Sequence, residues 1–346
     1  MKKKLIPALL LIVALALLLY FLIPRNEPTP PASAVSGNLT VHYIDVGQAD
    51  CALLECDGKF MLIDGGNVAD SSLVVSYLQK AGVQQLEAVV CSHAHEDHVG
   101  GLPGVLAVFP TAAVYAPTNT YSSKCFDDFL YYTDQQDLSV TIPKAGDTIP
   151  FGTVTVTVLG PVQSYADPNN TSLVLRVDFG ETRFLFTGDM ETDAETDLLE
   201  SGADVKADVL KVGPHGSNPS PGYRVLREVA PKWAVISVGT DNTYGHPHEE
   251  PMSRLHDAEV TVYRTDKMGT ILAVSDGTSV TFSWGNSTVQ PETNGENAPA
   301  SYIGNINSKV LHSASCKSLP DSKNQVLFDS YEDAIEAGYT PHSCLA

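Results

Sequence analysis

The sequence predicts an α/β fold in which two β-sheets are packed between outer helices, and three observations carry that prediction. Short runs rich in β-branched residues, such as Leu86–Cys91 and Ala207–Val212, alternate with amphipathic runs such as Ser71–Ala81 and Glu191–Glu200. The second half of the chain repeats the strand and helix logic of the first. Side chains able to bind a metal stand just past the carboxyl ends of several predicted strands, where a rigid scaffold hands the backbone over to free turns.

Taken in order, Met1-Lys2-Lys3-Lys4 precedes Leu5–Ile23, nineteen residues without a charge. That length spans a bilayer, so residues 1–23 are expected to form an uncleaved signal anchor. The lysines should stay cytoplasmic and the remainder extracytoplasmic. A cleaved signal ending near Ala32-Ser33-Ala34, which would release the chain, is the alternative. Residues 24–38, with Pro24, Pro28, Pro30 and Pro31, read as an extended linker.

Residues 39–285 read as one folded domain. Leu39–Val46 and Cys51–Cys56 are strands around the turn Gly47–Asp50, and Asp57-Gly58-Lys59 turns into the strand Phe60–Ile63. Asp64-Gly65-Gly66 ends that strand, its carboxylate placed to orient a histidine of the next motif. Gly82 stops the helix Ser71–Ala81. After the strand Leu86–Cys91 comes Ser92-His93-Ala94-His95-Glu96-Asp97-His98-Val99-Gly100-Gly101, with three histidines and two acids in six residues. Neutral imidazoles and carboxylates are the ligand set of a borderline metal such as zinc, so this stretch predicts a metal site. In an extended loop His93 and His95 project to one side, and His98 can turn towards a second ion.

Leu102–Phe109 is expected to be a helix and Ala112–Tyr115 a strand. Pro117–Gln136 reads as a long loop shaping a substrate pocket, with Tyr121, Tyr131 and Tyr132 available for packing or stacking. Val154–Leu159, Ser172–Asp178 and Thr182–Thr187 are strands, and Gly188-Asp189 closes the last of them. A carboxylate there can bridge two ions about 3.5–4 Å apart. The strand Ala207–Val212 ends in Gly213-Pro214-His215, and Trp233–Val238 leads to Tyr244-Gly245-His246-Pro247-His248. Strands at 260–263, 269–274 and 279–283 complete the domain. The formal charge of −20 is the opposite of the basic footprint of a protein that grips duplex nucleic acid by its phosphates.

The order Asp64, His93-x-His95-x-Asp97-His98, Asp189, His215 resembles the motif order of the metallo-β-lactamase superfamily. That resemblance implies a four-layer αββα sandwich binding two divalent ions, zinc or manganese. His93, His95 and Asp189 would hold one ion, and Asp97, His98, Asp189 and His215 the other. Asp97 and His246 are the implied catalytic residues, with His246 protonating a leaving group, binding substrate or extending the coordination. Asp64 and Asn170 stand behind the ligands or at an uncertain ligand position.

Within that superfamily the chain is more closely similar to the β-lactamase-like domain of the ComEC family of DNA-uptake competence proteins. The motifs are His42–Asp50, Leu62–Gly66, Asn170–Leu175, Phe186–Asp189, Leu210–Gly213 with His215-Gly216-Ser217, and Tyr244–Pro247. Asn170 replaces a histidine frequent elsewhere in the superfamily, and Pro214-His215 stands where that branch has a histidine pair. The implied activity is an extracytoplasmic metal-dependent phosphodiesterase or nuclease, its substrate a phosphodiester such as DNA or RNA. Hydrolysis of a cell-wall phosphodiester or phosphocholine ester is one alternative, and a non-catalytic anchored binding protein another.

Residues 286–300 read as a second linker. Residues 301–346 are too few to bury much core, so a metal or disulfide staple is expected. This stretch resembles the small zinc module of the Ada methyl-phosphotriester repair family, in which four cysteines bind zinc. Here zinc would be held by His312, Cys316, His342 and Cys344, and a Cys316–Cys344 disulfide is the alternative. Cys51, Cys56 and Cys91 read as buried thiols, and Cys125 has no assigned role.

Overall fold

The computed structural model describes residues 37–346 apart from 219, 287, 294–301, 314–315, 329–330 and 346. The expected signal anchor lies outside the described residues. Among the described residues no helix is long and apolar enough to cross a membrane. The chain lays down β1 (Leu39–Tyr43), β2 (Ala52–Cys56), β3 (Lys59–Ile63), β4 (Ala88–Val90), β5 (Val114–Tyr115) and β6 (Val140–Thr141). Then follow β7 (Thr148–Phe151), β8 (Val154–Gly160), β9 (Val174–Phe179), β10 (Thr182–Phe186), β11 (Val209–Lys211), β12 (Trp233–Ile236) and β13 (Thr261–Arg264). The strands β14 (Ile271–Ser275) and β15 (Val280–Trp284) return to the first sheet.

The first sheet has the order β15-β14-β1-β2-β3-β4-β5-β6, and the second β13-β12-β11-β10-β9-β8-β7. The first has four antiparallel and three parallel pairings, the second three of each. The parallel pairs are β3 to β6 in one sheet and β10 to β13 in the other. Parallel strands need covering on both faces, and their alternation shows how this is met. In β3, Met61 and Ile63 enter the core between the sheets, whereas Phe60 and Leu62 meet the outer helices Ser71–Lys80, Leu102–Val108 and Lys124–Asp134. In β10, Phe184 and Phe186 face the inter-sheet core while Leu185 meets the helices on the other side. The result is four layers, helix–sheet–sheet–helix.

Each fully buried Leu or Phe contributes roughly 1.5–3 kcal/mol. That is enough for the core to hold strained turns at the strand ends. Asp64 and His215 both sit there with positive φ, 60° and 51°, a conformation costing a non-glycine residue about 1–3 kcal/mol. Glycine does the opposite job beside them. A Cβ on Gly101 would meet the Gly65 carbonyl oxygen at 2.0 Å, so the two motif turns touch only because both residues lack side chains.

Two sequence expectations are corrected. The stretch 117–136 is no open loop, since Lys124–Asp134 forms a helix capped by the Ser123 hydroxyl, which accepts from the Phe126 amide. Acidic Asp127 and Asp128 obscure its periodicity, yet Cys125, Phe126, Phe129 and Thr133 make one buried face, with the Thr133 hydroxyl satisfied by the Phe129 carbonyl at 2.8 Å. Tyr132 packs partly into the outer core and Tyr131 stays exposed. The main motif is only half extended, because Glu96–Val99 closes into one helical turn with His95 at its N-cap.

The segment after β15 begins on the domain surface: Glu292 exchanges backbone hydrogen bonds with Val262 and its carboxylate pairs with Arg264 and Lys267. Beyond it, β16 (Tyr302–Asn305), β17 (Val310–Ser313), β18 (Gln325–Phe328) and β19 (Thr340–Pro341) form a small sheet ordered β18-β16-β17-β19. Its core comprises Tyr302, Leu311, Ala334, Tyr339 and Leu345, with Tyr223 of the larger body packed against it.

Candidate metal centre

The turns after β3, β4, β10 and β11 bring Asp64, the 92–98 motif, Asp189 and His215 to one end of the sandwich. Asp64 Oδ1 accepts from the Ser92 amide at 2.7 Å and Oδ2 from the Ser92 hydroxyl at 2.7 Å. The same Oδ2 lies 2.9 Å from His98 Nδ1. Because a carboxylate only accepts, it holds a proton on His98 Nδ1 and turns Nε2 outwards. His215 is set the same way, its Nδ1 donating to the Ser237 carbonyl at 3.0 Å. The Ser172 hydroxyl accepts from the Asp189 amide at 3.0 Å and fixes the turn carrying that carboxylate.

The ligand-type atoms so aimed converge. Asp97, His98, Asp189 and His215 each offer an atom within 4.8 Å of the others. His98 Nε2 is 3.4 Å from Asp189 Oδ1 and 3.9 Å from Asp97 Oδ1. His215 Nε2 is 3.3 Å from Asp97 Oδ2 and 3.7 Å from Asp189 Oδ2. Donors about 2.0–2.1 Å from a tetrahedral zinc stand about 3.3 Å apart, so the spacing suits a cation among them. His98 Nε2, His215 Nε2 and Asp189 Oδ1 are buried without a hydrogen-bond partner, which is the state of donors built for an ion. The donor set fits a divalent metal.

His93 and His95 form the neighbouring pair. His93 Nε2 and His95 Nδ1 are 3.0 Å apart, and the His93 ring lies 4.1 Å from that of His98, centroid to centroid. The motif's extended start therefore presents one pair of nitrogens, and its helical turn presents Asp97 and His98 to the second group. Tyr121 meets His95 edge-on at 6.2 Å. Asn170 is buried, with its Oδ1 accepting from the Glu191 amide at 3.0 Å, so it fastens the turn after Asp189.

Charge follows the geometry. Burial works against a proton on His98, but Asp189 and Asp64 outweigh it and hold the ring well above the usual histidine range. Burial also opposes the charge of His215, yet Asp189 and Asp50 push it up to about 10. Burial raises Asp189, but His98 and His215 carry it well below the ordinary carboxylate range. His93, buried and beside His98, is lowered to about 3. Protons on His98 and His215 thus occupy the positions a cation would take, and metal uptake must displace them.

Sequence reading missed the layer beneath. Asp50 and Lys211 form a buried ion pair, Nζ to Oδ2 2.7 Å, and Asp50 Oδ1 lies 3.4 Å from His215 Nδ1. Both residues sit inside motifs visible in the sequence, but an Asp in a turn and a Lys in a strand carry no signal that they will meet across 161 positions. His246 stands at the rim, half-buried, with Tyr244 stacked on it at 5.5 Å and His248 edge-on at 4.7 Å. Burial, then His248 and His215, lower it to about 4.

The small C-terminal sheet carries a second cluster. His312, Cys316, His342 and Cys344 offer four donors within 4.8 Å of one another. His312 Nδ1 to Cys316 Sγ is 3.4 Å and Cys316 Sγ to His342 Nδ1 is 3.7 Å. Zinc–sulfur and zinc–nitrogen lengths of about 2.3 and 2.0–2.1 Å put tetrahedral S and N donors about 3.6 Å apart, which these distances bracket. Cys316 and Cys344 are both free thiols in this structure. Cys51, Cys56, Cys91 and Cys125 are free and buried, Cys51 and Cys91 lying just outside the strands rather than within them.

The chain is similar in sequence to known proteins. The chain is 30% identical over 250 residues to ComE operon protein 3 of Bacillus subtilis (strain 168), covering 67% of this chain and 32% of that protein. It is 31% identical over 262 residues to Competence protein ComA of Neisseria gonorrhoeae, covering 75% of this chain and 35% of that one. The chain thus spans about a third of the length of these curated relatives. Residues 44–240 match the family described as the Metallo-beta-lactamase superfamily, a match that covers Asp64, the 93–98 motif, Asp189 and His215 and leaves His246 just beyond it. This chain, with its strand-end donors and partly parallel paired sheets, belongs to the metallo-beta-lactamase superfamily of hydrolases.

Proposed function

We propose that the protein is a metal-dependent phosphodiesterase of the ComEC-like type, a nuclease acting on DNA or RNA outside the cytoplasm. The observation that carries the reading is the Asp97–His98–Asp189–His215 cluster, with buried unpartnered nitrogens, set beside the His93–His95 pair. Two divalent ions, zinc or manganese, would be held by these residues, Asp189 serving both. Such ions supply a nucleophile at neutral pH and polarise the scissile phosphoryl oxygen.

The chain's own residues do the rest. Asp64 and Ser237 hold Nδ1 of His98 and His215 protonated, so each directs its Nε2 inward, where it would bind an ion once its own proton is displaced. Asp97 is less buried than the other donors of its cluster and is placed to orient or deprotonate an incoming water. His246 stands at the rim, where the substrate would enter. The C-terminal cluster would hold one zinc that staples its module. Anchoring by residues 1–23, or secretion after cleavage, puts the active domain extracytoplasmic. The overall charge of −20 favours a single strand or a short phosphodiester over a gripped duplex.

The test compares the full chain with His93→Ala on bis-(p-nitrophenyl) phosphate and single-stranded DNA after zinc or manganese loading. Turnover by the wild type and none by the variant is the expected result. No turnover of either substrate with two metals bound per chain would move the reading to a specialised cell-wall ester.

A further inference from the structure

We propose that Gln48 fixes His246 as the Nε2–H tautomer, making His246 a hydrogen-bond donor to the substrate and not a metal ligand. The argument needs only the chemistry of the partners. Gln48 Oε1 lies 3.1 Å from the Gly239 amide, and an amide N–H can only donate. The side-chain carbonyl must therefore face Gly239, which leaves the NH2 group of Gln48 towards His246. That Nε2 is 3.2 Å from His246 Nδ1. An amide NH2 offers no lone pair, so Nδ1 must accept. In a neutral imidazole whose Nδ1 accepts, the proton is on Nε2.

Everything around the pair holds it in that register. A Cβ on Gly239 would meet the Gln48 backbone nitrogen at 2.7 Å, so glycine there is what lets the turn carrying Gln48 approach from the first sheet. Asn242 brackets the ring's backbone, its Oδ1 accepting from the His246 amide at 2.9 Å and its Nδ2 donating to the His246 carbonyl at 2.7 Å. The following turn sits on the His215 turn, since the His248 amide donates to the Gly216 carbonyl at 2.8 Å. His246 Nε2 makes no hydrogen bond to any described residue.

The consequence separates His246 from His98 and His215. Those two have Nδ1 facing acceptors, Asp64 and Ser237, so that once a metal displaces the Nε2 proton a lone pair suited to a cation faces the site. His246 has Nδ1 facing a donor and exposes an N–H suited to an anionic oxygen. One end of the molecule therefore carries histidines of opposite tautomer, two for metal and one for substrate. The acceptor's identity, a non-bridging phosphoryl oxygen whose charge grows during attack, rests on the phosphodiesterase reading. No proton is transferred in this role.

The experiment is a long-range 1H–15N spectrum of the histidine-labelled full chain in detergent, with His246→Asn for assignment, before and after zinc addition. The wild type is expected to show His246 protonated on Nε2 in both states. In Gln48→Glu, whose carboxylate accepts at the same place, the proton should move to Nδ1. Turnover number should then fall about 10²-fold, the typical loss of one donor to a developing oxyanion. An Nδ1–H wild-type ring, or loss of the Nε2 proton when zinc binds, overturns the proposal, as does an unchanged tautomer in Gln48→Glu. If no phosphodiester turns over but the tautomer is Nε2–H, the tautomer stands and the phosphodiesterase reading falls.

Discussion

The cluster at the sheet ends and the cluster in the C-terminal module differ in what would remain without a metal. Around the first, two sheets and their helices bury cores of Leu, Val and Phe from both halves of the chain. Its donors are set by protein partners, Asp64 behind His98 and Ser237 behind His215. Around the second, the buried apolar residues are Tyr302, Leu311, Ala334, Tyr339 and Leu345. Its donors hydrogen-bond largely to one another, Cys316 Sγ lying between His312 and His342. On the proposed reading a cation would be a reagent in the first setting and a structural element in the second.

Chelation should break the comparison most visibly. Stripping metal from the full chain is expected to cut amide-exchange protection of β16–β19 sharply at neutral pH, without removing all of it, while β1–β4 and β9–β12 keep theirs, because binding energy is folding energy chiefly where the core is small. Cys316→Ser should act on the module as chelation does and leave the sheets intact. Loss of protection in both regions together would mean that the sheet-end cluster is also a staple.

The second test removes charge, not metal. Asp50→Asn leaves the Lys211 ammonium buried without a counter-charge, with neutral acceptors only, the Asn amide oxygen and the Val212 carbonyl at 2.9 Å. Breaking one partner of a buried pair costs about 3–5 kcal/mol, so the urea midpoint of the metal-free protein should fall accordingly. A shift as small as that expected of an exposed pair such as Lys124–Asp128 would show that water reaches Lys211.

These contrasts also explain what could be read from sequence. Ligands clustered within six residues, or repeated at strand ends, are local signals, so His93, His95, Asp97, His98, Asp189 and His215 stand out at once. The two-sheet architecture is equally legible, because strands covered on both faces are continuously apolar. Asp50, Lys211, Gln48 and Ser172 do not stand out, since their roles arise from meetings between distant turns that no local pattern encodes. The helix Lys124–Asp134 was hidden for another reason. Its buried face includes Thr133, a polar residue acceptable there because its hydroxyl bonds back to Phe129.

The smallest effect is a difference in sign with pH. In the metal-free protein His98 and His215 have raised folded-state values, so the stability they bring is full below the usual 6.5 and lost as pH rises through about 10 for His215. Asp189, held low by His98 and His215 against its burial, and Asp97, held low by His215, contribute stability present above about 3.8 and lost in acid. The sheet-end cluster should therefore loosen on the alkaline side first. His312 in the module is lowered by burial and by His342, so its folded form binds fewer protons than its unfolded form, and stability there falls as pH drops below 6.5. Amide exchange of the stripped protein at about pH 5, 7 and 9, corrected for intrinsic rates, should show the module weakening towards acid and the sheet ends towards base. Loading with zinc should flatten the alkaline limb, because the ions then occupy the nitrogens that protons held, and two regions changing with the same sign would mean that they share one titrating network.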